Sequence, residues 1–203
     1  MENDLKKLVG TNERIMYEGK PNIKCFIFES IFNPLLPFAL IWAIFDFGIL
    51  GGAFMADGDK SMLGFLIPFF LLHLMPVWIY LGGVLFTFRR YRNTYYIVTD
   101  TGIYISGGIF SKTFNHKPFA ELSHVDLHRG IFDQMFGVGD IITSSAHMVG
   151  ENKTAVLTIS SISNYIEVYN LVKKLQKDIY TDVMYPNDKR PAENHGYNTE
   201  YKG

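Results

Sequence analysis

Cysteine is almost missing from this chain: Cys25 is the only one among 203 residues. A lone thiol excludes an intrachain disulfide and any zinc site built on paired cysteines. An excess of charge of either sign is missing as well, the formal net charge being -1. That argues against a dedicated nucleic-acid binder, which needs a basic surplus to neutralise phosphates. No Walker-type phosphate loop occurs anywhere. One long stretch lacks charge altogether: Met62 to Phe88 holds no Asp, Glu, Lys or Arg.

That uncharged run would form a helix of about 40 Å, longer than the ~30 Å hydrocarbon core of a bilayer. It reads as a transmembrane helix over 62–88. Pro68 and Pro76 fall inside it; transmembrane helices tolerate internal proline, so a kink is expected rather than a break. An earlier apolar and aromatic stretch, 28–55, carries Glu29 near one end and Asp46 inside. It is long enough to cross, with a re-entrant segment as the alternative because Pro34 and Pro37 fall at its start. The polar connector 56–61 is short, so the two helices are expected as antiparallel neighbours, a hairpin over 25–88. Lys20 and Lys24 precede the first span and Arg89, Arg90 and Arg92 follow the second, against Lys60 alone in the connector. This asymmetry predicts that both termini are cytoplasmic. The first 24 residues are polar, so no signal peptide is expected, and 1–24 reads as a cytoplasmic N-terminal segment.

Beyond Phe88 the pattern changes to short strands. Candidates run over 94–99, 102–106, 109–114, 122–128, 140–145 and 155–160, separated by turn signals such as Asp100-Thr101-Gly102 and Gly107-Gly108. The period then switches to three and four. Tyr165, Val168, Tyr169, Val172, Leu175 and Ile179 make an apolar stripe, with Lys173, Lys174 and Lys177 on the other face. Asn164 followed by Glu167 fits a capping-box-like start. The expected architecture is α+β: a transmembrane hairpin followed by one small β-rich domain, 89–181, plugged by a C-terminal helix. Residues 182–203 have no periodicity and few apolar side chains, which predicts a disordered tail.

Several ordered strings carry a family resemblance. They are Asn12-Glu13-Arg14-Ile15-Met16-Tyr17-Glu18-Gly19-Lys20-Pro21, Tyr96-Ile97-Val98-Thr99-Asp100 with Gly102-Ile103, Gly108-Ile109-Phe110, Leu122-Ser123-His124-Val125-Asp126 and Phe136-Gly137-Val138-Gly139-Asp140-Ile141. Together they resemble the bacterial pleckstrin-homology-like domains of membrane proteins, the membrane-flanked domain family. The resemblance covers nearly all of the chain except the tail. It implies a PH-like β-barrel with a capping helix, in a multi-pass protein of the bacterial cytoplasmic membrane. It defines the biochemical role poorly.

Sites of chemistry are few. Gly137-Val138-Gly139-Asp140-Ile141-Ile142 lacks the third glycine of a dinucleotide loop and leads into a strand, so a tight turn is the better reading. His124 and His128 share a strand face but sit about 13 Å apart at ~3.3 Å per residue, too far to hold one ion. His116 and His147 could join them on neighbouring strands, but nothing fixes that geometry. No metal or cofactor site is assigned. The first hairpin, Thr99-Asp100-Thr101-Gly102, has no Lys or Arg, so phosphoinositide binding is not supported. Arg89, Arg90 and Arg92 are candidate contacts for anionic headgroups, although their role as topology determinants suffices. Asn152-Lys153-Thr154 matches a glycosylation triplet on the wrong side of the membrane. Asp46 and His73 stand out, because ionisable groups in a span are costly and often functional. Counted along antiparallel helices, they fall within about one turn of each other in depth.

The expected function is therefore non-catalytic: a membrane-anchored PH-like domain that binds a protein partner, or its own copies, at the inner face of a bacterial membrane. The rival is an intramembrane transport or proton-relay component using Asp46 and His73, with oligomers building the pathway.

Overall fold

The computed structural model describes residues 2–55, 63–145 and 156–184. The expected connector 56–61, His147, the triplet at Asn152 and the tail beyond Met184 lie outside the described residues. The chain forms two compact units. One comprises Met1–Cys25 together with Arg90–Gly203, the other Phe26–Arg89. The N-terminal segment 1–24 and the β-rich domain thus belong to a single unit.

The apolar unit is helical. Helix α2 (Ile23–Ile31) is followed by α3 (Leu35–Met55), α4 (Leu63–His73) and α5 (Met75–Asn93). The stretch expected as one helix over 28–55 is divided between Ile31 and Leu35. Pro34 supplies no backbone N–H and disfavours a helical conformation at Asn33. The Asn33 side chain then serves both ends: its amide donates to the Ser30 carbonyl at 2.7 Å, and its oxygen accepts from Leu35 N–H at 2.8 Å. Helix α3, 21 residues long, is long and apolar enough to cross a membrane. Helices α4 and α5 reach that length only as a bent pair, with 52° between them. Pro68 lies within α4 without ending it, and α5 runs on past Phe88 to Asn93. Ile41, Ile44, Phe65, Leu72 and Leu85 are all exposed.

The other unit is built of strands. Strands β1 (Ile15–Gly19), β2 (Tyr95–Thr99), β3 (Gly102–Gly107) and β4 (Thr113–Pro118) form one antiparallel sheet in that order. Strands β5 (Leu122–His128), β6 (Gly139–Ser145) and β7 (Val156–Ile162) form a second, also antiparallel. The strand expected over 109–114 is displaced to Thr113–Pro118. Gly108 has φ 110°, and a Cβ there would meet the Ser111 carbonyl oxygen at 2.0 Å, so the chain turns at a site only glycine fits. A 3-10 turn, Phe119–Glu121, carries the chain from one sheet to the other, with Phe119 fully buried beneath it.

Both sheets and the C-terminal helix α7 (Tyr165–Met184) share one core. Tyr96 and Ile103 contribute from the first sheet, Ile141 and Ile159 from the second, and Val168, Val172 and Leu175 from the helix. The expected closed barrel is an open arrangement of two sheets: among the described residues no ladder joins them. Instead α7 fills the core, and Gln176 ties it to β5 by donating its amide to the Leu122 carbonyl at 2.9 Å. The Tyr96 hydroxyl accepts from Ser160 N–H at 3.1 Å, and burial pushes that phenol up to about 12.

Strand β2 is buried along its whole length. Tyr96 and Val98 face the shared core, whereas Tyr95 and Ile97 face a second cluster with Tyr104 and the fully buried Leu5 of α1 (Glu2–Lys6). A strand covered on both faces reads as a continuous apolar run rather than an alternation, which is why Tyr95-Tyr96-Ile97-Val98 has no polar positions.

The stripe on α7 sets a test. Leu175→Ala should lower the unfolding free energy of the full-length protein by about 2–5 kcal/mol, as expected for a buried leucine. Lys174→Ala, exposed beside it, should change it little. Chemical denaturation of the two variants compares them; equal losses would mean that α7 packs by another face.

Candidate functional site

The bend between α4 and α5 frees backbone carbonyls that an unbroken helix would use. Pro76 has no N–H to give, and the N–H of Val77 turns to the Leu74 carbonyl at 2.9 Å. The His73 carbonyl accepts instead from the Trp42 indole N–H of α3 at 2.8 Å. The Leu71 carbonyl accepts from the Trp78 indole at 3.0 Å. The chain has only two tryptophans, and each supplies a bond to a carbonyl at the bend. Where water is excluded, an unpaired carbonyl costs several kcal/mol.

The same bend places His73 against Asp46. The imidazole Nδ1 lies 2.9 Å from Asp46 Oδ1 and 3.0 Å from Oδ2. An ionised carboxylate can only accept, so Nδ1 carries the proton in that state. Asp46 is 1% exposed, and the His73 ring is stacked against Trp42 and Phe69 with centroids 5.0 and 5.3 Å away. Elsewhere in this unit the Ser30 and Thr87 hydroxyls bond one another, Thr87 also donates to the Gly83 carbonyl at 2.9 Å, and the Tyr80 hydroxyl donates to the Ile31 carbonyl at 2.9 Å. The geometry can hold or pass a proton at Nδ1, and it also braces α3 against α4.

A different cluster forms at the first hairpin. The Glu13 carboxylate accepts from the hydroxyls of Thr99 at 2.8 Å, Thr101 at 2.7 Å and Tyr104 at 2.8 Å, and from Gly10 N–H at 3.3 Å. Burial alone would raise its pKa, but the donors outweigh that and hold the carboxyl below its ordinary value. Next to it, Asp100 accepts from the backbone N–H and the guanidinium of Arg14 at 3.0 and 3.2 Å. The turn that lacks basic residues is thus occupied by two acidic side chains and the N-terminal segment. Glu13 was not singled out from the sequence, because its three hydroxyl partners lie 86 to 91 residues away.

A third cluster sits around helix α6 (Ile131–Phe136), whose six residues are too few to show a helical period in the sequence. Asp133 accepts from Gly130 N–H at 2.8 Å and from the Cys25 thiol at 3.4 Å. Gly137 closes the helix with φ 67°, and the Val138 N–H reaches the Asp133 carbonyl at 2.8 Å. The glycine-rich string is therefore a helix cap leading into β6. Asp140 accepts from Ser161 N–H at 2.7 Å, and burial raises its pKa, with nearby Asp133 adding to the rise. His128, Asp133 and Asp140 offer ligand atoms within 4.8 Å of one another. Both carboxylates already serve as backbone acceptors, which accounts for their placement.

His124 and His128 are both exposed on β5, opposite Ser144 and Asp140. His116 stacks on Tyr104 with centroids 4.1 Å apart. Arg89, Arg90 and Arg92 are exposed near the C-terminal end of α5, where cations favour the helix dipole.

The family model described as "Bacterial PH domain" matches residues 39–176. The match begins within α3 and ends within α7, so it takes in most of the apolar helices and strands β2 to β7, and leaves β1 outside. No curated protein and no solved structure matches the chain.

Two measurements check these contacts. Asp46→Asn and His73→Gln should be non-additive in a double-mutant cycle on the stability of the purified protein, with a coupling of about 0.5–3 kcal/mol; simple additivity would show that the contact carries no energy. Glu13, whose pKa is lowered on folding, contributes stability above its ordinary value of 4.5 and loses it as pH falls through the lowered value. Glu13→Gln should therefore flatten the fall in melting temperature on acidification below about that pH, compared with the unsubstituted chain. An unchanged slope would mean that Glu13 titrates as it does unfolded.

Proposed function

Because the chain belongs to the bacterial PH domain family, we propose that it is a non-catalytic protein-interaction module, anchored by a transmembrane hairpin at the inner face of a bacterial membrane. The hairpin consists of α3 as one span and the bent pair of α4 and α5 as the other. The observation that carries the anchoring is the internal pairing at the bend: indoles bond to backbone carbonyls in a helical unit that exposes Ile41, Ile44, Leu72 and Leu85. A segment facing hydrocarbon needs such partners, and one facing water does not. The basic residues on either side of the helices support a cytoplasmic placement of both termini. The domain then presents its strand edges, including the largely exposed β4, to a protein partner or to another copy. The hydroxyl-bound Glu13 and the paired Asp100 make the first hairpin a poor phosphoinositide site.

A second reading draws on the buried contact of Asp46 with His73: proton relay or transport through an oligomer. The brace that the pair forms between α3 and α4 is sufficient reason for its presence.

One set of experiments separates these. A cysteine at Ser61, in a Cys25→Ser background, should react with a membrane-impermeant thiol reagent in intact cells, while one at residue 188 should react only after lysis. The reverse pattern would overturn the orientation. In liposomes of the purified protein no proton flux is expected; flux that disappears with Asp46→Asn would replace the module reading with the transport one.

A further inference from the structure

The segment between β5 and β6 folds back onto the two strand ends it joins. His128 ends β5, and Asp140, at the start of β6, is its partner across the ladder. Opposed residues of antiparallel strands project from one face. Asp133 of α6 comes to the same place: its carboxylate accepts from Gly130 N–H at 2.8 Å. A Cβ on Gly130 would meet Asp133 Oδ2 at 3.4 Å and His128 Cε1 at 3.9 Å. The imidazole and the two carboxylates thus each offer a ligand atom within 4.8 Å of the others. All three residues belong to the β-rich unit.

The backbone donors Gly130 N–H and Ser161 N–H account for where the carboxylates sit, but two features of this place go further. Two anions side by side carry a cost: Asp133 adds to the raised pKa of Asp140, and His128 works against the rise. The other feature is the Ser161 hydroxyl. It is fully buried and, among the described residues, it is the buried side-chain polar atom that has no hydrogen-bond partner. It belongs to the residue whose N–H binds Asp140, so it lies next to that carboxylate. A buried polar atom without a protein partner is a mark of a bound water or ion. We propose that His128, Asp133 and Asp140 bind a divalent cation of the zinc type, with a water of its coordination shell reaching the Ser161 hydroxyl. Zinc takes imidazole nitrogen and carboxylate oxygen, and three protein ligands with one water is a familiar set for it. At about 2.0–2.2 Å from the ion, two ligands are at most about 4.4 Å apart. Only a small adjustment is needed, and the exposed His128 side chain can make it. Both carboxylates are already oriented by backbone donors, as an outer shell orients metal ligands. The ion clasps β5, α6 and β6 at one end of the second sheet, and the site does not depend on how the protein is anchored.

Zinc titration tests the site. The full-length protein is purified in detergent without a polyhistidine tag, stripped with a chelator and titrated with Zn2+, while bound zinc and melting temperature are followed. A saturable site and a rise in melting temperature are expected, and both should persist in His124→Ala, which removes the other exposed histidine of β5. His128→Ala removes an exposed side chain and leaves the backbone bonds of both carboxylates in place. It should fold, and it should lose both the saturable site and the zinc-dependent rise. Asp140→Asn keeps an acceptor for Ser161 N–H and should also lose the bound zinc, whatever its own melting temperature. No saturable binding in the unsubstituted protein would overturn the proposal. So would binding that survives His128→Ala, or binding that is lost with Cys25→Ser and kept with Asp140→Asn.

Discussion

The Trp42 indole N–H donates to the carbonyl of His73, and the imidazole of the same residue meets the carboxylate of Asp46. Two bonds from α3 thus converge on the one residue where α4 ends. In an apolar environment this is a strong constraint. A bend in a helix leaves carbonyls without their usual donors, and an ionisable side chain without a partner is more costly still. The bend, the two tryptophans and the Asp46–His73 contact are one arrangement: the carbonyls of His73 and Leu71 and the carboxylate of Asp46 are each placed against a partner. The Ser30–Thr87 and Tyr80–Ile31 bonds follow the same rule.

The β-rich unit obeys the complementary constraint, that apolar faces must be covered. Among the described residues its two sheets do not close on each other by hydrogen bonds, and α7 packs Val168, Val172 and Leu175 into the core that both sheets share. The outer face of β2 is sealed by α1 through Leu5. The N-terminal segment supports this unit at two further points. It adds β1 to the edge of β2, and it places Glu13 among the hydroxyls of the first hairpin. A PH-like hairpin filled from within by a carboxylate has different binding chemistry from one lined with basic side chains, whatever the likeness of the folds.

The first hairpin carries Glu13 and Asp100, while the β-rich unit shows an exposed strand edge and an exposed helix face. Strand β4 is an exposed edge, and α6 shows Ile131 and Met135. Both are features of surface rather than of a cleft.

Local pattern was enough to read several elements from the sequence. The alternation in Leu157 and Ile159 and the three-four spacing of Val168, Val172 and Leu175 each express burial that repeats along a single element, whereas the uncharged run of 62–88 is divided between α4 and α5. Six of the strands or their approximate places and the C-terminal helix are legible in such patterns, while the family resemblance rests on ordered strings such as Phe136-Gly137-Val138-Gly139-Asp140-Ile141. Helix α6 was not legible because only six residues carry it, too few for a period to show. The shift of the third strand depended on a turn at Gly108 whose necessity is a close approach of backbone to backbone. For the candidate sites the division is similar. The sequence marked Asp46 and His73 as costly in an apolar run and put them at comparable depth. It had no means of showing that Trp42 would cap the carbonyl at the bend, or that Glu13 would find Thr99, Thr101 and Tyr104. Periodicity along one segment determines what that segment buries. Which donor meets which acceptor across distant segments is decided only when the elements pack, because hydrogen bonds depend on distances and directions that no single stretch of sequence contains.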